Sequence, residues 1–106
     1  MKKIFLSGPV AGMIYADAVK DFNDAEKLLQ DKGYQVINPV SFIHPDSDWA
    51  EAMRLCIKEL KKCDAIYMLK GYENSKGASV EHCIARELNL EVIYQHDYET
   101  ADTGLD

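Results

Sequence analysis

The sequence predicts an α/β domain built on a single parallel sheet. Short apolar runs alternate along the chain with segments whose apolar residues recur at helical spacing, the pattern of strands joined by crossover helices. The run Ala65-Ile66-Tyr67-Met68-Leu69 is apolar throughout, as a strand buried on both faces must be. With 106 residues, 47% hydrophobic and 28% charged, the chain is sized for one globular domain with its own core.

The first strand is expected over Lys3 to Ser7, ending at Gly8-Pro9, with a glycine-bearing loop from Gly8 to Met13. Tyr15, Ala18, Val19, Phe22, Ala25 and Leu29 then fall on one helical face, and Asp17, Lys20, Asp21, Asp24 and Lys27 fill the other. Gly33 is the expected helix stop. Tyr34 to Asn38 reads as the second strand, closed by Asn38-Pro39, and a longer loop runs from Val40 to Ser47. Asp48 with Glu51 has capping-box spacing, so a second helix starts there, with Trp49, Ala52, Met53, Cys56, Ile57 and Leu60 as its apolar face. After the third strand, Ala65 to Leu69, comes a loop over Gly71 to Gly77, then a third helix over Ala78 to Leu90 with Ile84, Ala85 and Leu88 inward. Glu91 to Tyr94 is the fourth strand.

Right-handed crossovers make strands one and three the central pair, giving the order 2-1-3-4 with helices on both faces, a single Rossmann-like domain of flavodoxin type. The domain is expected over residues 1–94, followed by an acidic, flexible tail over 95–106. The switch point of such a sheet lies between the C-terminal ends of strands one and three, and two glycine loops land there: Ser7 through Gly12, and Gly71 through Gly77.

Charge and cysteine content narrow the function classes. A net charge of −6 argues against a general binder of nucleic-acid polymers or membrane surfaces, while leaving room for one small anion in a local pocket. No stretch approaches the ~20 apolar residues of a membrane span, and the Met1–Leu6 run is too short for a signal-peptide core. Three cysteines at unremarkable spacing give no disulfide framework and point to a reducing, cytoplasmic location.

The richest stretch is Ser75-Lys76-Gly77-Ala78-Ser79-Val80-Glu81. Small residues let a ligand approach the backbone, and a helix start offers free N–H groups to a phosphate. Glu81, read as lying in the first turn of the helix, is either a partner of the helix dipole or a reactive group aimed at the same ligand. If it is reactive, the helix terminus is expected to lower its pKa and keep it ionised. Ser75 reads equally as a turn or capping residue and as a phosphate contact; Ser79 reads as a cap. Lys76 reads as a solvated loop lysine. Gly8, Gly12 and Gly77 are turn glycines or lining of the crevice, and Asn38 holds the following loop or contacts ligand. Trp49 and Met53 read as core or subunit contacts, with stacking on a base as the alternative. His44 and His82 read as surface or loop groups, with His82, directly after Glu81, reaching the site mouth as the alternative, and Cys56 and Cys63 as buried thiols.

These residues resemble a known family. Phe5-Leu6-Ser7-Gly8-Pro9, then Val36-Ile37-Asn38-Pro39, then Cys63-Asp64-Ala65-Ile66-Tyr67-Met68-Leu69 and Gly77-Ala78-Ser79-Val80-Glu81 look like the nucleoside 2-deoxyribosyltransferase superfamily. More narrowly they resemble a small domain family of uncharacterised function found in phages and prophages. The resemblance covers roughly residues 3–94. It implies that Glu81 is a catalytic nucleophile attacking sugar C1′, as in a retaining glycosidase. It also implies that Ser75 meets a 5′-phosphate and that Gly8 and Gly12 line sugar and phosphate. The implied ligand site is Ser7, Gly8, Gly12, Asn38, Ser75 and Gly77, with no metal and no organic cofactor. The implied partners are a small nucleoside or nucleotide and further copies of the same chain, as a homodimer or larger homo-oligomer. One position departs from the pattern: the characterised enzymes carry an aspartate where this chain has Cys56. Asp64 lies on the order of 15 Å from the crevice, at the far end of its strand, and cannot replace it. The proton donor is therefore unassigned, and a non-catalytic nucleotide-binding module or a phage-type interaction protein stands as the alternative.

Overall fold

Alternation along β1 (Lys3–Ser7) sorts the core into two layers, because successive side chains of a strand leave opposite faces. Ile4 and Leu6 face α1 (Tyr15–Asp31) and bury Phe22, Ala25 and Leu29. Phe5 faces the other way, toward Cys56 and Leu60 of α2 (Trp49–Leu60) and Ala78 and Ala85 of α3 (Lys76–Glu87). The third strand, β3 (Ala65–Met68), repeats the alternation: Ala65 and Tyr67 join the first layer, Ile66 and Met68 the second. The computed structural model describes residues 1–102, and side chains through residue 98.

The four strands form one parallel sheet in the predicted order, β2-β1-β3-β4, with β2 at Gln35–Ile37 and β4 at Glu91–Tyr94. Pairing of β1 with β3 runs from Ile4 opposite Ala65 to Ser7 opposite Met68, so both central strands end at the same height. Backbone bonding continues one step further, Leu69 N–H donating to the Ser7 carbonyl at 2.8 Å. Asp64 sits at the opposite edge, where its Oδ2 accepts from Lys3 N–H at 2.9 Å.

The helix signals differ in accuracy. Gly33 ends α1 in the left-handed region (φ 95°), as its position predicts. Asp48 caps α2, accepting from Ala50 and Glu51 N–H at 3.2 and 3.3 Å. Helix α3 begins two residues earlier than expected. Its cap is Ser75, whose Oγ accepts from Ala78 N–H at 3.2 Å, and Ser79 lies inside the helix. It also ends earlier, at Glu87, so Leu88 is exposed rather than inward, and Asn89 takes a positive φ of 60° to turn the chain. The expected flexible tail instead begins as a short helix, α4 (Gln95–Asp102). Tyr98 packs edge-on against the buried Tyr67 ring, centroids 5.9 Å apart, which ties α4 to the first layer. The rest of that tail, 103–106, lies outside the described residues.

Gly8 follows β1 with no room for a side chain, since a Cβ there would stand 2.7 Å from Leu69 Cβ. Neither atom is the loose end of a flexible chain, so Gly8→Ala must push the exits of β1 and β3 apart. We expect a loss of about 1–3 kcal/mol, read as a lower midpoint in thermal unfolding.

Candidate functional site

Strand parity decides what stands at the sheet's switch point. Ser7 shares a face with Phe5, so its hydroxyl points toward α2 and α3 rather than toward α1. There it meets Glu81: Ser7 Oγ donates to Glu81 Oε1 at 2.5 Å, with both residues buried. Because α3 starts at Lys76, Glu81 lies in the second turn, beyond the reach expected of the helix dipole. The Cys56 thiol of α2 lies close enough to the same carboxylate for the two to shift each other's pKa.

The electrostatics of Glu81 are opposite to the sequence expectation. Burial pushes its pKa up to about 7, against the Ser7 hydrogen bond and the nearby Cys56 thiol, which act to lower it. Desolvation wins because a carboxylate only 6% exposed has lost most of its water, and no cation among the described residues offsets that loss. Cys56 responds to the same surroundings. Burial first, and then the charge of Glu81, hold its thiol well above the ordinary cysteine range. Burial likewise raises Cys63, to about 11. Cys83 is exposed, so a thiol reagent is expected to label one cysteine in the native protein and all three only after unfolding, countable by mass.

Glu81 forms part of the wall of a cleft of ≈ 690 Å³ at the C-terminal end of β1, between the loop after β2 and the start of α3. Of the predicted site residues, Ser7, Gly8, Ser75, Gly77 and Glu81 all line it. Gly77 is inside α3, and a Cβ there would stand 3.2 Å from Met53 Sδ and 3.6 Å from Trp49 Nε1. Its smallness lets the start of α3 close onto α2. Trp49 and Met53 line the cleft, and Lys76 Nζ lies 4.2 Å from the centre of the Trp49 ring, a cation–π contact rather than a purely solvated lysine. Among the described residues lining the cleft, Glu81 is the one carboxylate.

Two predicted residues are not brought there. Gly12 sits in the β1–α1 loop at φ 85° with open space around it, a turn glycine outside the cleft lining. Asn38 is buried beneath the lining, and its side chain is already committed. Its Nδ2 donates to Asn23 Oδ1 and Glu26 Oε1 at 3.0 and 3.1 Å, and its Oδ1 accepts from Val40 N–H at 3.1 Å. Asn38 therefore caps the 3-10 turn Pro39–Ser41 and fixes the start of the following loop against α1. His82 also turns away. Its Nε2 pairs with Tyr94 Oη at 2.9 Å, and its ring joins Tyr72 and Tyr94 in an aromatic cluster.

His44, read from the sequence as a loop group, lines the cleft, together with Val40, Ile43 and Ser47 of the same loop. Its Nδ1 accepts from Asp46 N–H at 3.1 Å. The His-Pro-Asp step was the available signal, but only the fold shows which way the loop turns. Among the described residues no group of three His, Cys, Asp or Glu could hold a metal ion, and no helix is long and apolar enough to cross a membrane.

A family model described as a domain of unknown function (DUF4406) matches residues 2–94. No curated protein matches the sequence significantly. Among solved structures, the 2-deoxyribosyltransferase of Bacillus psychrosaccharolyticus superimposes with a TM-score of 0.68 at 20% identity, over 87% of this chain and 70% of that one. The 2-deoxyribosyltransferase of Leishmania mexicana gives 0.66 at 21% identity, over 89% of this chain and 63% of that one. A CMP N-glycosidase of Clostridium botulinum gives 0.57 at 24% identity, over 88% and 67%. At such identities the likeness shows the fold.

Proposed function

The chain belongs to the DUF4406 family, and from the geometry of its cleft we propose that it cleaves or transfers the N-glycosidic bond of a deoxynucleoside or deoxynucleoside 5′-monophosphate. The observation that carries this reading is Glu81, a carboxylate buried at the switch point of a parallel sheet, held by Ser7 and facing an open cleft. The shared fold of two deoxyribosyltransferases and a CMP N-glycosidase supports the same bond.

Glu81 attacks C1′, the C1′–N bond breaks, and a glycosyl ester on Glu81 is resolved by water or by a second base. Because Glu81 is the one carboxylate among the described residues lining the cleft, we read it as the nucleophile rather than as one of a pair of carboxylates activating water. The base lies among the apolar walls near Trp49. The sugar passes over Ser7 and Gly8, and a 5′-phosphate lies toward Ser75, where the first backbone N–H groups of α3 are exposed. The unpaired thiols are consistent with a reducing, cytoplasmic compartment, and exposed Trp49, Leu55 and Leu88 with a homo-oligomer.

The test is incubation with each deoxynucleoside and its 5′-monophosphate, with and without a second free base, and chromatography for released or exchanged base. A nucleotide-binding module without turnover is the second reading, favoured by Cys56, which stands where the resemblance drawn from the sequence implies an aspartate. Binding without base release selects it. Absence of both binding and release leaves a phage-type interaction protein.

A further inference from the structure

We propose that Lys76 makes the cleft select a nucleoside 5′-monophosphate over the free nucleoside: its ammonium, seated on the Trp49 ring, transfers to the phosphate of an entering nucleotide. This rests on the glycosidic reading given above and narrows its substrate class by naming the residue that sets it.

Charge makes the demand. A phosphate monoester carries close to two negative charges at neutral pH. The chain has a net charge of −6, and the carboxylate lining the cleft is that of Glu81. A nucleotide is therefore repelled by the protein as a whole and by the group that is to attack it, whereas a free nucleoside feels neither. A cation in the cleft reverses that preference.

Lys76 is the one lysine or arginine among the described residues lining the cleft. Lys2, Lys20, Lys27 and Lys62 each pair with a carboxylate, whereas the Lys76 ammonium rests 4.2 Å from the centre of the Trp49 ring. Nor is Lys76 the counter-ion of Glu81, whose carboxyl is pushed up by burial with no cation acting against it. Lys76 is exposed, and an exposed ammonium gains less from a ring than from a charge-assisted hydrogen bond to a phosphate oxygen. The exchange therefore runs toward the ligand.

Its position in the chain sets its reach. Lys76 is the first residue of α3 and follows Ser75, and both line the cleft. Ser75 already serves the helix: its Oγ accepts from Ala78 N–H at 3.2 Å and its carbonyl from Ser79 N–H at 2.9 Å. The first-turn donors left for a phosphate are the N–H groups of Lys76 and Gly77. The Lys76 side chain springs from one of those two residues, so its four-carbon stem brings the ammonium to the anion they hold. The ring that holds the ammonium beforehand is close by, since a Cβ on Gly77 would stand 3.6 Å from Trp49 Nε1.

The experiment uses Glu81→Gln, which is expected to bind without turnover, alone and combined with Lys76→Met or Lys76→Arg. Each protein is titrated by calorimetry with the deoxynucleosides and their 5′-monophosphates. We expect the nucleotide to bind about 10- to 100-fold more tightly than its nucleoside. Lys76→Met should remove most of that advantage by weakening the nucleotide alone, and Lys76→Arg should keep it. Trp49 is the single tryptophan, so its fluorescence reports the departure of the ammonium. Binding of 2-deoxyribose 5-phosphate, which has no base to stack, should change that emission with Lys76 present and not in Lys76→Met. Equal affinity for nucleotide and nucleoside, equal losses on both in Lys76→Met, or unchanged emission with the sugar phosphate bound overturns the assignment. Base release is scored separately in the wild type. Its absence from both substrates overturns the glycosidic reading, and absence of all binding overturns both.

Discussion

Glu81→Gln is expected to abolish base release, by at least about 10³-fold, while making the protein more stable at alkaline pH. The first effect follows from the loss of the attacking oxygen's charge, since an amide of nearly the same shape cannot form the glycosyl ester. Ligand binding should survive, because the residues assigned to sugar and phosphate are untouched. The second effect follows from linkage. Folding raises the Glu81 pKa from 4.5 to about 7, so the folded protein holds a proton that the unfolded chain releases. Below pH 4.5 both states are protonated and the group costs nothing. As pH rises toward 7 the unfolded state gains, and above 7 the penalty reaches its full size of about 3 kcal/mol. The glutamine variant has no such slope. Thermal unfolding at pH 5 and pH 8 should show the two proteins close together at the lower pH and the variant ahead at the higher. Base release that persists in Glu81→Gln would remove the nucleophile assignment.

Ser7→Ala is expected to move the acidic limb of the activity profile to higher pH. On the proposed mechanism the wild-type limb is expected near pH 7, because Glu81 must be ionised to attack and burial pushes its pKa up to about 7. The Ser7 hydrogen bond favours the ionised form, so removing it raises that pKa further. At pH 7 the rate should fall roughly 3- to 10-fold and recover as pH rises, with a full titration of kcat/KM as the readout. Stability should fall as well, by about 1.5–3 kcal/mol where Glu81 is ionised, since a buried carboxylate loses a donor at 2.5 Å. A uniform loss of rate at every pH would assign Ser7 to sugar contact instead of to the carboxylate.

The layers of this fold are legible because alternation in β1 and β3 is strict: Ile4 and Leu6 against Phe5 and Ser7 is a two-residue rule that needs no tertiary knowledge. The switch point follows from the strand order. What the sequence does not disclose depends on residues far apart in the chain. Asn38 is consumed by Asn23 and Glu26, two side chains of the preceding helix that no local pattern links to it. Gly77 resembles a loop residue because glycine is rare in helices, yet it sits there because Met53 and Trp49 occupy the space of a side chain. That misplaced the start of α3 and gave Glu81 to the first turn, and the dipole argument then had the wrong sign. Burial of Glu81 against Cys56 and Ser7 decides its pKa, and burial is a property of the packed molecule.

The two strands that border the sheet carry a consequence for assembly. The outer strand β2 has only three residues, with Gln35 exposed, and β4 opens on exposed Glu91, which pairs with Lys2. Edges so short, each opening on an exposed polar residue, present little ladder for another chain to extend, a usual protection against strand addition and fibrous aggregation. Copies of this protein that associate must therefore meet through helices and loops. The exposed Trp49 and Leu55 of α2 and Leu88 at the end of α3, with Ile14, Tyr15 and Phe42, are large apolar side chains on those surfaces, and Trp49 stands at the cleft itself.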